Sequence, residues 1–548
     1  MSLPAFSTQA ELFSTAGLSC NLFAPTDRYR LFAQIVYPAV VAARGQLEKC
    51  YCVENGRVAV EPVLMLGVSL LQYLDGLPDR QAVEMLRYHA GWNFALNRQL
   101  GDELFHPTRL VNFRLRLLEH EQSALGFKAI LDALAEAGLV SRQSRQRLDS
   151  TQMFGLVSRM SRLDCVRESL RLALQEWEGS LASESRPEFW LELWERYVES
   201  QTDYRASSEA LGRKLVEAGT DTARLLVWAR GQLDQGTWGP QLLLLERVFG
   251  EQFEMSGAEA APKSKAELSS DRVQNPHDPE ATYAVKGEGQ KKKEHVGYKV
   301  PVAETVTQAE LEPGEPTTNF LTGIVTHAAY QSDEAGAEKM ATEQAEMGLE
   351  KPPVEYVDGA YVSAEKLAEA QAEGRRLVGP AACAPHNNGG RYTTEDFDIR
   401  VEERKALCPA GQENTQCSRW EEQATGKVTY RFEWSTHGAG CPLRERCVGP
   451  EQRHRTLVVG QHHRLLQERR REQKTQAFAQ EMRHRNAIEG TQSELVRAHG
   501  IRRARYRGLA KARLQNYMAA AACNVKRWIR RNVWELSQGA MRTAPVGS

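Results

Sequence analysis

The sequence lacks the features of a membrane or secreted protein. No stretch approaches the roughly 18 consecutive apolar residues of a membrane-spanning helix; the longest apolar stretches, at residues 31–43 and 62–74, are interrupted or short. The first residues, Met1-Ser2-Leu3-Pro4, lack the basic region and apolar core of a secretory signal. Ten cysteines, unevenly spaced over 548 residues, do not form a disulfide scaffold. These absences favour a cytoplasmic protein with reduced thiols and no membrane partner.

The net charge of −1 hides a strong segregation of charge along the chain. Residues 301–374 contain 15 acidic and 3 basic residues, whereas residues 451–548 contain 21 basic and 7 acidic residues. Such a basic segment is typical of a protein that binds a polyanion. A solvent-facing helix with many charges has a similar composition. Because few acidic residues interrupt the arginines, the pattern favours nucleic acid.

The spacing of apolar residues predicts a helical N-terminal part followed by a mixed region. Helices are predicted at residues 28–43 and 63–74, and a further helix opens at Pro78 and Asp79. A turn at residues 89–92 and another helix start at 105–114 follow. Short helices joined by tight turns are typical of a helix-turn-helix DNA reader, and equally of a plain helical bundle.

After residue 140 the pattern alternates between strands and helices. Residues 158–249 are predicted as a long helical stretch with tryptophans as core anchors. Residues 333–349 and 363–373 are predicted as helices. The predicted strands are residues 147–157, 296–306, 319–327, 354–357 and 377–379.

Three carboxylates in these regions occur in distinctive contexts. They lie in Leu148-Asp149-Ser150-Thr151, in Tyr356-Val357-Asp358-Gly359-Ala360-Tyr361 and in Arg485-Asn486-Ala487-Ile488-Glu489-Gly490. Carboxylates at strand ends meet at one edge of an open α/β sheet. Three converging carboxylates hold Mg²⁺ against a phosphodiester.

These contexts resemble the catalytic triad of DDE-type bacterial insertion-sequence transposases. The matching residues are an Asp-Ser-Thr on a first strand, an Asp-x-x-Tyr after a later one and an Arg-x-x-x-Glu on a helix. An arginine-rich run follows the last of them. The chain has Met482 and Val496 where the family's helix motif often has Tyr and Lys.

The resemblance implies a mixed α/β fold. The expected architecture is an RNase H-like mixed sheet with a helical insertion, preceded by an all-α helix-turn-helix-like N-terminal domain. It also implies that Asp149, Asp358 and Glu489 are catalytic and bind two Mg²⁺ (or Mn²⁺) ions for DNA cleavage and strand transfer. The implied partner is double-stranded DNA, both the element's terminal inverted repeats and target DNA, bound by a homodimer on paired ends. A cytoplasmic, nucleoid-associated location follows.

The length suggests three or four domains at roughly 100–200 residues each. We expect a helical DNA-recognition domain at residues 1–140 and the first part of the catalytic domain at 141–380. The latter would include the helical insertion, about 158–250, and a flexible link, about 251–293. A cysteine-containing insert at 381–480 and a segment with the Glu489 helix and basic helices at 481–548 complete the chain.

The basic segment contains our candidates for DNA contact. Arg485 lies one helical turn from Glu489, where it can pair with that carboxylate or reach a phosphate. Tyr506 can stack on a base or pack internally. The candidate DNA-binding residues are Arg485, Arg502, Arg503, Arg505, Arg507, Lys511 and Arg513.

Cysteines in the insert form a weaker pattern. The candidate ligands of a structural Zn²⁺ are Cys408, Cys417, His437, Cys441 and Cys447. Their spacing is wider than in a zinc knuckle, so scattered buried thiols are the alternative. His462 and His463 are expected only at the surface of a basic helix.

Two other functions remain open on the sequence. One is a metal-dependent RNase H-like nuclease that cuts without joining. The other is a catalytically inactive, transposase-derived repressor that binds DNA.

Overall fold

The computed structural model describes residues 3–4, 17, 19–52, 56–99, 101–179, 185–200, 207–232, 236, 238–257, 259–287, 292–307, 314–383, 390–423, 426–435, 440–449 and 451–543.

Helices make up the N-terminal part and the insertion after the first strand. The first group spans Arg28–Leu31, Tyr37–Ala42, Arg44–Glu48, Pro62–Asp75, Asp79–Tyr88, Ala90–Ala95, Thr108–Glu119 and Leu125–Glu136. The second group spans Arg162–Glu178, Trp190–Trp194, Ser208–Gln232 and Pro240–Gln252. Later helices span Asp333–Glu346, Ala364–Ala372, Arg444–Cys447, His463–Glu472, Gln476–Glu481, Arg483–Asn486, Ile488–Ala498 and Leu509–Thr543. Short π-helical turns at Phe32–Val36 and Glu195–Glu199 continue neighbouring helices.

The strands are numbered in chain order. They are β1 (Gln146–Phe154), β2 (Phe253–Ser256), β3 (Glu259–Pro262), β4 (Thr282–Lys286), β5 (Lys293–Thr305), β6 (Leu321–Ile324), β7 (His327–Ala328), β8 (Val354–Tyr356), β9 (Arg376–Val378), β10 (Asp398–Arg400), β11 (Lys405–Leu407), β12 (Gln416–Glu421), β13 (Val428–Glu433) and β14 (Thr456–Gly460).

The main sheet has the strand order β4-β5-β1-β8-β9, with β6 and β7 also paired to β5. β1 runs antiparallel to β5 and parallel to β8, and β8 runs parallel to β9. This mixed sheet confirms the predicted α/β fold class and is consistent with a DDE, RNase H-like domain preceded by a helical region. The strands predicted from alternation at residues 147–157, 296–306 and 354–357 are present with shifts of a few residues.

The N-terminal helices share one hydrophobic core with the sheet and the C-terminal helix Leu509–Thr543. Phe127 from the N-terminal helices, Tyr298 from β5 and Ala519 from the C-terminal helix belong to the same buried cluster. Asn524 ties that helix to β6 by accepting from Leu321 N at 2.8 Å and donating to Leu321 O at 2.9 Å. The C-terminal helix therefore packs against both the N-terminal helices and the main sheet.

One local prediction in this region is wrong. Residues 89–92, predicted as a turn, begin the helix Ala90–Ala95. His89 caps this helix, because its Nδ1 accepts from the backbone N–H of Trp92 at 3.3 Å. The fully buried Trp92 ring donates to Asp75 at 3.0 Å. Contacts with distant residues therefore stabilise this short helix, which the local sequence pattern does not predict.

The helical insertion after β1 has its own core. Trp177 and Trp190 are buried there, and Trp194 and Trp228 pack against the same cluster, as the sequence predicts.

The following segment differs from the expected flexible link. Strand β4, at residues 282–286, joins the main sheet, and Asn275 and Asp278 are buried. Asp278 accepts from the Tyr298 hydroxyl at 2.9 Å, which anchors the segment to β5.

The cysteine-containing insert folds as a small β unit. Strands β12, β13 and β14 form an antiparallel sheet, and β10 pairs with β11. His463 begins the helix after this sheet and is 5% exposed, so its expected surface position is wrong. Burial lowers its pKa to about 4, which keeps the ring neutral near pH 7.

No helix in the described ranges is both long and apolar enough to cross a membrane.

Candidate active site

Asp149 and Asp358 lie side by side where two parallel strands part. Asp149 is inside β1 and pairs across the sheet with Val302 of β5. On the other side, Arg147 of β1 aligns with Tyr356, the last residue of β8. Asp149 comes two residues after Arg147 within β1, and Asp358 comes two residues after Tyr356, just beyond the end of β8. Asp149 is therefore not at the end of its own strand, but at the point where β8 stops pairing with it.

The third carboxylate, Glu489, lies in the first turn of the helix Ile488–Ala498. The preceding helix, Arg483–Asn486, ends at a turn at Ala487, so Arg485 and Glu489 belong to two short helices. The predicted proximity of the two side chains is retained across this turn, since Arg485 Nη1 lies 3.4 Å from Glu489 Oε1.

All three carboxylates converge on the guanidinium of Arg485. Its Nη2 lies 2.9 Å from Asp149 Oδ2 and 3.5 Å from Asp358 Oδ2. The side chains of Arg485 and Asp149 are 14% and 15% exposed, whereas Asp358 and Glu489 are 55% and 71% exposed. The cluster is thus half-open, with one mostly buried carboxylate, two accessible carboxylates and one internal counter-cation.

Local hydrogen bonds orient both aspartates. The backbone N–H of Ser150 donates to Asp149 Oδ1 at 2.8 Å, and that of Gly359 donates to Asp358 Oδ1 at 2.6 Å. Each aspartate keeps its second oxygen turned to the shared arginine. Burial raises the pKa of Asp149, and the attraction of Arg485 opposes that rise.

A hydrogen bond between two hydroxyl groups lies next to the aspartates. Ser150 Oγ and the Tyr361 hydroxyl are 2.5 Å apart, and Tyr361 also donates to Asp333 Oδ1 at 3.4 Å. Burial raises the pKa of Tyr361, so the phenol stays protonated. These contacts tie the turn after Asp358 to the strand that carries Asp149.

A buried ion network holds the Glu489 helix against the sheet. Glu304 of β5 forms ion pairs with Arg147 of β1, at 2.5 Å, and with Arg527 of the C-terminal helix. Thr491 of the Glu489 helix donates to Glu304 Oε1 at 2.7 Å. Arg147 also donates to the backbone carbonyl of His484 at 3.0 Å, directly before Arg485. Sequence reasoning missed Glu304, since a single Glu in an alternating strand gives no signal of its partners.

The arginine-rich loop at residues 502–507 extends the end of β1. The backbone N–H of Phe154 donates to Arg502 O, and that of Ala504 donates to Phe154 O, both at 2.8 Å. Phe154 comes five positions after Asp149 in β1, which corresponds to about 17 Å along the strand. The exposed candidates on this loop and the next helix turn are Arg502, Arg503, Arg505, Arg507 and Lys511.

Some residues of this segment also have internal contacts. Arg505 lies over the Tyr73 ring at 4.8 Å from its centroid, and Arg513 Nη2 lies 3.9 Å from Glu343 Oε1. Tyr506 packs beneath Arg114, at 5.6 Å, rather than projecting as an open stacking surface.

The structure separates the candidate zinc ligands. Cys408, Cys441 and Cys447 line one cavity, whereas Cys417 does not line it. Cys417 lies on β12 opposite Phe432. His437 is outside the described residues.

A different group, Glu494, His499 and Cys523, has its ligand-type atoms within 4.8 Å of one another. Glu494 is already paired with Arg527 at 3.0 Å and with Lys526 at 2.9 Å. These cations lower the pKa of Glu494 to about 2 despite its burial, and burial lowers that of His499 to about 4. Two adjacent cations disfavour a metal here, so we interpret the cluster as structural.

Two protein-family models match parts of the chain, one towards each end. A family model described as "Transposase DDE domain" matches residues 407–529, and one described as "Transposase domain (DUF772)" matches residues 21–116. The first match includes Arg485, Glu489 and the arginine-rich loop, while Asp149 and Asp358 lie outside both matches. Searches of curated proteins and of solved structures give no match. The two family matches, one at each end of the chain, support its assignment as a DDE-type insertion-sequence transposase.

Proposed function

We propose that Asp149, Asp358 and Glu489 form the catalytic triad of this transposase and that it cleaves and joins DNA at the ends of its element. The observation that carries the proposal is the convergence of three carboxylates, from three distant segments, on one guanidinium. Concentrating three negative charges at a half-open edge of a sheet is unfavourable without a cation.

The arrangement of the three carboxylates also fits divalent cations. Two of the carboxylates are accessible, and the third, Asp149, turns one oxygen to the shared arginine. Together they are a hard-oxygen donor set suited to Mg²⁺ or Mn²⁺. Asp149, Asp358 and Glu489 would hold the ions. When bound, such ions stabilise the charge on the attacking and leaving oxygens of a phosphodiester.

The chain's own residues would position the substrate. Arg485 has a fork that matches two phosphate oxygens, so it can move from the carboxylates to the phosphate beside the cleaved bond. Exposed arginines on the 502–507 loop would bind the backbone further along the duplex. The N-terminal helices would read the terminal repeats, with a homodimer joining two ends.

The test is cleavage of a duplex that contains the sequences flanking the gene. Mg²⁺-dependent 3′ nicks at the element boundary, followed by joined strands with a free 3′-OH end, support the proposal. Cutting without boundary preference or joining would favour the nuclease. Tight binding without any cutting would favour the inactive repressor.

Arg485 is expected to be the internal counter-cation of the metal-free site. Replacing it with Ala leaves three carboxylates without that charge, so the melting temperature in a chelator should fall. Added Mg²⁺ should then raise the melting temperature more in Arg485→Ala than in the wild type, because the ions replace the missing charge. Calorimetry with and without Mg²⁺ measures both shifts.

Arg483→Ala is the matched control for this experiment. Arg483 is an exposed arginine on the same short helix and is not paired with the three carboxylates. Its removal should change neither shift. Identical Mg²⁺ responses in the wild type and Arg485→Ala would contradict the counter-cation role.

The arginine-rich loop is expected to contribute salt-dependent DNA affinity. A combined variant with Arg502, Arg503, Arg505 and Arg507 replaced by Ala should have a shallower slope of log affinity against log salt, by about 0.9 for each phosphate that these arginines neutralise. Fluorescence anisotropy over a salt series measures the slope. The control variant has Arg213 and Arg230, exposed arginines of the helical insertion, replaced by Ala, and its slope should match that of the wild type. An unchanged slope in the loop variant would rule out phosphate binding by the loop.

A further inference from the structure

The hairpin formed by β4 and β5 carries two lysines that face each other. Lys286, the last residue of β4, lies directly opposite Lys293, the first residue of β5. Both side chains are exposed, and among the described residues neither has an ion-pair partner. Like charges directly opposite each other destabilise an antiparallel strand pair. A bound polyanion would remove this repulsion.

The acidic residue beside these lysines is on the other face of the hairpin. Glu294 follows Lys293 in β5, so its side chain points to the opposite side of the strand. There it pairs with Lys292 at 2.8 Å and with Arg159 at 3.3 Å. In the described part of the hairpin, one face is therefore balanced in charge, whereas the face with Lys286 and Lys293 carries positive charge alone.

The hairpin is fixed to the C-terminal end of β1. Gly297 of β5 lies opposite Phe154 of β1, and a Cβ on this glycine would collide with Met153 O, so glycine permits the close approach of the two backbones. The His295 ring packs edge-on against the Phe154 ring, with 5.9 Å between the centroids. His295 and Lys293 lie on the same face of β5. The lysine pair is therefore on the Phe154 side of the sheet.

The arginine-rich loop flanks the same end of β1 on its other edge. Arg502 and Ala504 hydrogen-bond to the backbone of Phe154, whose opposite edge faces Gly297. The Arg502 side chain also donates to Gln152 O at 3.2 Å, so it reaches back along β1 in the direction of the triad. Two basic elements from distant parts of the chain thus border one surface at the end of this strand.

The charge of Lys286 also acts on the triad. Burial raises the pKa of Asp149, and the positive charges of Arg485 and Lys286 both oppose that rise. Arg485 does so through an ion pair, whereas Lys286 acts without one. A lysine near the triad that is not paired with its carboxylates can bind a phosphate beside the one that is cleaved.

We propose that the β4–β5 hairpin binds the DNA backbone through Lys286 and Lys293, across from the arginine-rich loop, and positions the strand that enters the triad. The inference rests on the proposed function for the identity of the polyanion. A lysine ammonium group binds phosphate oxygens as a point charge and reads no base sequence. The two lysines are therefore positioning residues that contribute affinity and register.

Fluorescence anisotropy with the boundary duplex, in a chelator and over a salt series, tests this binding. Replacing Lys286 and Lys293 together with Ala should make the slope of log affinity against log salt shallower by about 0.9 for each phosphate released, or about 1.8 in total. Replacing both with Arg keeps the charges and should keep the wild-type slope. Lys292→Ala, on the balanced face of the same hairpin, is the matched control and should also keep it. An unchanged slope in the double Ala variant, or an equal change in Lys292→Ala, would overturn the proposal.

Thermal unfolding without DNA separates binding from folding. Removing both lysines relieves their mutual repulsion, so the melting temperature of the double Ala variant at low salt should equal or exceed that of the wild type. A lower melting temperature together with weaker binding would indicate a structural role for the lysines and overturn the proposal.

Methylphosphonate substitution in the boundary duplex locates the contact. Neutralising single phosphates next to the element boundary should weaken binding by the wild type and not by the double Ala variant. The same sensitivity in both proteins would overturn the proposal. These measurements need no cleavage, so a shallower slope with DNA that is never cut would reject the triad and support the hairpin. Boundary-specific cleavage with an unchanged slope would reject the hairpin and support the triad.

Discussion

Glu489→Gln is expected to abolish DNA cleavage while leaving stability and DNA binding nearly unchanged. Glu489 is 71% exposed, and its ion pair with Arg485 spans 3.4 Å, so the folded state loses little when its charge is removed. Loss of one carboxylate from a cation-binding set should cost several kcal/mol in the transition state. About 4 kcal/mol corresponds to a roughly 10³-fold lower cleavage rate.

Single-turnover nicking of the boundary duplex measures this loss, with binding followed in parallel by anisotropy. Asp358→Asn, also at an exposed position, should behave in the same way. Glu468→Gln removes an exposed carboxylate on the helix His463–Glu472 and is the matched control. Cleavage retained within tenfold in Glu489→Gln would refute the triad, and binding that falls in step with cleavage would indicate a folding role.

Glu304→Ala is expected to be the most destabilising single change near the site. Glu304 is 1% exposed and neutralises both Arg147 and Arg527, which are themselves buried. Arg147 would lose its ion pair with Glu304 while staying buried, and Arg527 would keep its pair with Glu494. Removing one partner of a buried ion pair costs about 3–5 kcal/mol. That is a large share of the roughly 5–15 kcal/mol that stabilises a typical domain.

Urea denaturation monitored by circular dichroism measures this effect. Glu304→Gln keeps the shape and one acceptor and should lose less. Glu209→Ala, which removes a fully exposed pair with Arg213, should change stability by less than about 1 kcal/mol. A loss below about 1 kcal/mol in Glu304→Ala would mean that the network does not anchor the Glu489 helix.

Local patterns predicted most elements around the site. The alternation from Val296 to Val306 and the capped helix after Ser363 appear where the sequence places them, because period and capping depend on neighbouring residues. Segments with weak patterns were predicted less well. The helix at Ala90–Ala95 and the packed residues 273–282 owe their structure to contacts with distant residues such as Asp75 and Tyr298.

The sequence by itself determined the order of the main strands and helices that carry the candidate site, the separation of acidic and basic segments, and the three candidate carboxylates with their neighbouring arginine. Tertiary structure alone decided that Arg485 reaches all three carboxylates, that Glu304 joins Arg147 to Arg527, and that Cys408, Cys441 and Cys447 line one cavity that Cys417 does not line. The physical reason is the separation along the sequence of the residues that interact. Element type follows from side chains a few positions apart, whereas these contacts join residues up to several hundred positions apart and depend on strand register and helix packing.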